Sequence, residues 1–209
     1  QLADYYVGIG RSQDAVTLLT ALSSEQASFA EAEIRLAAID YAQNRVPDAH
    51  TKLDSLLARA PNYSAALIMK AQWLTRENKL DEALERAKAA VAADPQSASA
   101  HFALAVVQDR RREVADATKS YGEVLRLNPR AVAAQVELSR LSLTSGDSAS
   151  ALRFAEEARR TEPANLDARV AVARSLVAGG NRARAEAEIA ALLKSIQQAS
   201  VPTTNAAPI

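Results

Sequence analysis

Residues 61–94 read PNYSAALIMKAQWLTRENKLDEALERAKAAVAAD, and residues 95–128 read PQSASAHFALAVVQDRRREVADATKSYGEVLRLN. Laid one under the other, they pair Pro61 with Pro95, Ala71 with Ala105 and Ala83 with Ala117. The same beat runs outward in both directions. Pro129 and Pro163 extend the proline series, and Ala15, Ala49, Ala83, Ala117, Ala151 and Ala185 form an alanine series without a gap. Ala3, Ala37, Ala71, Ala105, Ser139 and Ala173 form a third series, small at every step, and Gly10, Asn44, Asn78, Arg112, Gly146 and Gly180 a fourth. Four registers coincide at a spacing of 34 residues, so the chain is a tandem repeat.

Each series has a physical reading. The Gly/Asn position separates two apolar-periodic stretches, where a helix ends in the left-handed conformation that Gly and Asn tolerate best. Arg112 is the odd member, and strain or a different turn is expected there. The small residues sit mid-helix, where two helices approach closely only if neither side chain extends past a methyl. The prolines follow Ala60, Asp94, Asn128 and Glu162 and end the second helix of each pair. In the stretch quoted first, Ser64 to Glu77 is predicted as helix A, Asn78 and Lys79 as the turn, and Leu80 to Ala93 as helix B.

Composition agrees with an all-α chain and narrows the function. Alanine, the best helix former, is abundant, while aromatic residues are 4% of 209. The 25 basic and 25 acidic residues cancel, so no global attraction to nucleic acid or anionic lipid exists, although local patches remain open. Absence of cysteine removes disulfides, thiolate metal sites and a cysteine nucleophile. No apolar run reaches the ~18 residues needed to span a bilayer. Compartment is left open between the bacterial cytoplasm and the periplasm or envelope, the latter if an upstream leader has been removed.

These features resemble the tetratricopeptide repeat (TPR) family, a 34-residue two-helix unit with small residues at positions 8, 20 and 27 and proline at 32. Ala71, Ala83, Ala90 and Pro95 fill those places, then Ala105, Ala117, Val124 and Pro129. The resemblance covers residues 2–199. It implies an α-solenoid, a right-handed superhelix, of about six units and twelve helices: a partial unit 1–29 entered mid-helix at Gln1, and full units 30–63, 64–97, 98–131, 132–165 and 166–199. Residues 200–209 carry two prolines, lack the period and are expected to be a tail or linker. Departures from the family pattern are Glu33, Leu67, His101, Gln135 and Arg169 at the usually aromatic position 4, Lys70 at apolar position 7, and Ala27 and Gln197 in place of proline.

The resemblance implies a concave face lined by helix A at positions 2, 5, 6, 9, 12 and 13. Position 5 is apolar throughout: Ile34, Ile68, Phe102, Val136 and Val170. Tyr41, Met69, Val106, Leu143 and Val177 stand around it, with Arg35, Arg76, Arg110, Arg140 and Arg174 set against Glu31, Asp109, Glu137 and Asp167. Such a stripe suits an amphipathic helix or an extended peptide with apolar anchors and some acidic residues. The alternative is that position 5 packs against the neighbouring helix A. Family members that grip a C-terminal carboxylate use Lys at position 5 and Asn at 9. Here position 9 reads Ala38, Gln72, Val106, Arg140 and Arg174, so that mode is disfavoured.

No constellation points to catalysis. His50 and His101 lack a carboxylate cluster at ligand spacing, and a shared metal site is not expected. Arg110, Arg111 and Arg112 sit at a helix end, where cations offset the helix dipole. Glu31 with Glu33, and Glu156 with Glu157, are solvent-face charges with nothing apolar around them to raise a pKa. Gly179-Gly180 lacks the strand and Lys of a phosphate loop and belongs to a repeat turn. Trp73 is expected to pack between helices. No cofactor is implied.

Two functions follow. One is a non-catalytic scaffold docking a partner segment in the stripe. The other is end-to-end self-assembly: the first helix opens on Leu2, Tyr5 and Tyr6 and the last carries Leu192, Leu193 and Ile196 without a polar capping helix, so either flanking repeats have been cut away or neighbouring chains stack end to end. In that case the tail, with Val201 and Ile209 as anchors, has a neighbour's groove within reach. A place in a larger enzyme or a bacterial envelope or export complex is also open.

Overall fold

The computed structural model describes residues 2–25 and 29–200, the side chains of 198–200 excepted. Gln1, Ala27 and the tail from Val201 to Ile209 lie outside them. The described residues form twelve helices and no strand: α1 Leu2–Gly8, α2 Ser12–Ser23, α3 Phe29–Ala42, α4 Val46–Arg59, α5 Ser64–Arg76, α6 Leu80–Ala93, α7 Ala98–Arg110, α8 Val114–Leu127, α9 Val132–Thr144, α10 Ser148–Thr161, α11 Leu166–Ala178 and α12 Arg182–Ser200. They group into two compact units that divide between Arg111 and Arg112, on the turn after α7. The first holds α1 to α7 and the second α8 to α12.

The turn between helices A and B is built alike in every repeat. Gly10, Asn44, Asn78, Gly146 and Gly180 all take positive φ, and Arg112 does the same at +66°. No different turn forms at Arg112; the backbone keeps the repeat geometry and a non-glycine side chain bears the crowding. Paired backbone bonds close the turn. The Lys79 amide donates to the Leu74 carbonyl at 2.9 Å and the Asn78 amide to Thr75 at 3.2 Å, a Schellman arrangement that satisfies carbonyls left over at the helix end.

Proline stops helix B from the other side. Ala60, Asp94, Asn128 and Glu162 all leave the helix with φ between −143° and −134° and ψ between 77° and 90°, because the proline ring that follows excludes the helical region. At Gln197, where the proline is missing, α12 runs on for 19 residues against 14 in α10.

Inside a hairpin the two helices meet through methyl groups. Ala15, Ala49, Ala83, Ala117 and Ala151 are fully buried, as are Ala37, Ala71 and Ala105 of the other series. A larger side chain at these positions would force the axes apart. Lys70, the charged residue at an apolar position, is buried and ion-paired with Asp54 of α4, which offsets the cost of enclosing its ammonium.

Candidate functional site

In the first unit the boundary between the α3–α4 hairpin and α5 is filled by aromatic rings. Trp73 stacks on Tyr41, with centroids 4.3 Å apart and planes 7° from parallel, and His50 stands edge-on to both. His50 Nε2 lies 2.7 Å from Glu77 Oε1, and as the ionised carboxylate only accepts, the histidine donates. Lys79 Nζ donates to the other carboxylate oxygen at 2.9 Å. Burial alone would raise the Glu77 pKa, but the hydrogen bonds from His50 and Lys79 outweigh it and hold the carboxyl below its ordinary value. Burial and the adjacent Glu77 raise the Tyr41 phenol above its ordinary value. Trp73 therefore packs between helices as expected, and Tyr41, a groove candidate, is drawn into the same stack.

The other candidates in this unit sit nearby on the A helices. Ile34, Ile68 and Met69 are half-buried against the cluster that holds Leu53, Leu56, Leu57 and Trp73. Phe102 and Val106 are half-buried on α7, and Arg76 and Arg110 are exposed at the ends of α5 and α7.

In the second unit the same kind of boundary is made of small groups. Ser139 of α9 and Ser175 of α11, both buried, place their hydroxyls 3.2 Å apart. Ser175 donates to the Ala171 carbonyl at 2.8 Å, so the proton in the serine pair comes from Ser139. Beside this pair the structure brings four candidates together: Val136, Arg140, Val170 and Arg174 line one depression of about 270 Å³. It shares Val136, Glu137 and Asp167 with a second depression of about 470 Å³ that reaches Glu162 and Asn165. Arg140 is paired with Glu137 at 2.7 Å. Asp167 and Arg174, on either side of Val170, have no ion-pair partner among the described residues.

A third hollow, about 480 Å³, opens where α11 and α12 end the described chain, lined by Leu143, Val170, Ala173, Val177, Ile189 and Leu192. Leu192 is buried in it, while Leu193 and Ile196 are exposed. At the other end Leu2 and Tyr5 are exposed, and Tyr6 is half-buried under the Arg11 guanidinium, 5.0 Å from the ring centroid. Sequence reasoning did not single out Ile189. The signal was present one period earlier, since its equivalents Leu53, Ala87, Tyr121 and Ala155 are all buried.

The remaining candidate groups are engaged in packing. His101 Nε2 donates to the Pro95 carbonyl at 3.1 Å, and Arg111 pairs with Asp81. Glu156 bridges Arg159 and Arg184. Gly179 sits in a repeat turn, where an added Cβ would come within 3.3 Å of the Ser175 carbonyl oxygen. No helix among the described residues is long and apolar enough to cross a membrane.

Tetratricopeptide repeat models match residues 1–64, 34–98, 68–121, 102–165 and 142–201, overlapping along nearly the full length. The chain belongs to the tetratricopeptide repeat family. Solved TPR structures agree in fold. PilF of Pseudomonas aeruginosa superposes with a TM-score of 0.78 at 19% identity, covering 90% of this chain and 86% of its own. MamA gives 0.72 at 17% identity, covering 86% of this chain and 98% of its own. A TPR protein from Parabacteroides merdae gives 0.72 at 17% identity, over 92% of this chain and 76% of its own. At such identities the likeness carries the fold alone. No curated protein sequence matches the chain. TPR proteins are in general protein-interaction scaffolds without chemistry of their own, and this TPR chain has the fold of one.

Proposed function

We propose that the chain is a non-catalytic TPR scaffold that docks a segment of a partner protein along the A helices. The observation that carries this reading is the pair of joined depressions over α9 and α11. Val136 and Val170 offer an apolar floor, and Asp167 and Arg174 flank Val170 with charges that have no ion-pair partner among the described residues. The matching ligand is a helix or extended peptide with an aliphatic anchor between an acidic residue, which meets Arg174, and a basic residue, which meets Asp167. The row Ile34, Ile68 and Phe102 in the first unit supports an equivalent surface there, with Met69, Val106, Arg76 and Arg110 around it.

A displayed random-peptide library panned against the chain tests the proposal. Enriched peptides should carry an aliphatic residue with opposite charges on its two sides. Val170→Glu and Arg174→Glu, both on exposed side chains, should each weaken their binding on the order of tenfold or more while leaving helicity unchanged. Ile68→Glu and Phe102→Glu ask the same question of the first unit. Peptide binding that survives all four changes rules out the A-helix surface as the docking site.

A further inference from the structure

We propose that a cavity bordered by α10, α11 and α12 is a binding site for a phosphoryl group, held by Arg159, Arg160 and Arg169. The cavity measures about 510 Å³, within the ~300–1,000 Å³ of pockets that hold small ligands. It shares no residue with the depressions over α9 and α11, so the inference goes beyond the peptide surface above.

The repeat itself calls for no ion cluster here. One period earlier the equivalents of Arg159, Arg169 and Glu188 are Leu125, Gln135 and Phe154. The place of Arg159 holds Val91 and Leu57 in the units before that, and all three aliphatic residues are half-buried or buried. At this boundary Arg159 and Glu188 replace apolar groups, and Arg169 joins them. The Arg169 and Glu188 side chains are 17% and 15% exposed, so both ions have lost most of their water. Pairing repays that loss only in part, whereas an apolar boundary of the same shape does not incur it. A costly departure from the pattern of the chain's own repeats points to a task other than holding helices together.

Charge balance identifies the ligand. Arg159 donates to Glu188 at 3.1 Å and also to Glu156. Arg169 Nε lies 3.6 Å from the other Glu188 oxygen, and Arg169 donates to the Ser195 hydroxyl at 2.9 Å. These contacts orient two planar forks at the cavity wall, and each guanidinium keeps further N–H groups for a ligand. Arg160 adds a third guanidinium, exposed and without an ion-pair partner among the described residues. Glu156 is shared with Arg184 at 2.9 Å. Four guanidiniums therefore stand against two carboxylates, a surplus of two positive charges. A phosphoryl group carries about −1.5 to −2 at pH 7 and three strong acceptor oxygens, which closes that balance; a single carboxylate leaves half of it open.

Two probes test the site and separate its possible sources. Inorganic pyrophosphate is titrated into the full chain by calorimetry at constant ionic strength. In parallel, a degenerate peptide pool bearing one phosphoserine is passed over the immobilised chain beside the same pool unphosphorylated. Pyrophosphate binding alone assigns the site to a small phosphorylated compound, and selective retention of the phosphorylated pool assigns it to a modified side chain of a partner; either result supports the proposal. Arg160→Ala, a change at an exposed side chain, and Arg169→Gln should each weaken binding of whichever probe is held by about tenfold, with helicity checked by circular dichroism. Arg153→Ala is the control, because Arg153 lies on the same helix, pairs with Glu157 and is absent from the cavity wall. No binding of either probe up to roughly 1 mM overturns the proposal, and so does equal weakening by Arg153→Ala, which would mark a diffuse charge effect. Val170→Glu, which removes the peptide surface, should leave binding at this cavity unchanged, so the two readings fail separately.

Discussion

The boundary onto α5 in the first unit and the one onto α11 in the second occupy the same place in the repeat and are closed by opposite means. Position 10 is Trp73 in one and Ser175 in the other. The tryptophan reaches across to Tyr41 and leaves the boundary filled by rings. The serine reaches only to Ser139, and depressions lined by Val136, Val170 and Arg174 open beside the pair. A repeat geometry held by buried alanines and turns therefore does not dictate how full its boundaries are. Side-chain volume at one position decides whether the surface offers a ring stack or a groove.

The largest expected break in this contrast is Trp73→Ala. It removes the stacked ring from a buried site and should destabilise the first unit by about 3–5 kcal/mol, measured by urea unfolding with far-UV circular dichroism. The second unit should keep its own transition. Next comes the polar edge of the same boundary. Glu77→Gln weakens the bonds from His50 and Lys79 and should cost about 1–2 kcal/mol. The matching pH dependence has a definite sign. Because the Glu77 pKa is depressed on folding, its contribution is complete above the ordinary carboxyl range and is lost as pH falls through the lowered value. The acid limb of the stability profile should flatten in Glu77→Gln.

Smaller effects sharpen the other side. Ser175→Ala leaves Ser139 without its partner and should cost about 1 kcal/mol, whereas the Ser139→Ala/Ser175→Ala double variant should regain part of it, since an apolar pair leaves nothing unsatisfied. A double-mutant cycle that comes out additive would remove the hydroxyl pair as a reason for the boundary's geometry. The smallest is Arg112→Gly, which relieves positive φ at a non-glycine residue and should stabilise the chain by up to about 1 kcal/mol, offset in part by the greater freedom of glycine in the unfolded chain.

Much of this could be read before any coordinates. The prolines after Ala60, Asp94, Asn128 and Glu162 placed the ends of the B helices because a proline ring acts on the residue beside it, whatever the surroundings. Asn78 and Gly146 placed turns for the same local reason, and Arg112 follows them because the flanking helices impose the conformation. The family and its scaffold role followed from that period. The row at position 5 was visible too, but its state of packing was not. Tyr41 at position 12 and Val170 at position 5 are both expected on the concave face, yet one is held under Trp73 and the other floors an open groove. That difference depends on side chains 32 and 31 residues away, Trp73 and Ser139, which no local rule connects.

The amino-acid sequence by itself determined the helical hairpin, its length, its turns and the positions at which only a methyl fits, because these are short-range consequences of φ, ψ and side-chain size. Only the tertiary structure decided which apolar positions stay open. Burial is a property of what arrives opposite a residue, so Ile189 and Tyr5 share the register of enclosed residues and still face outward.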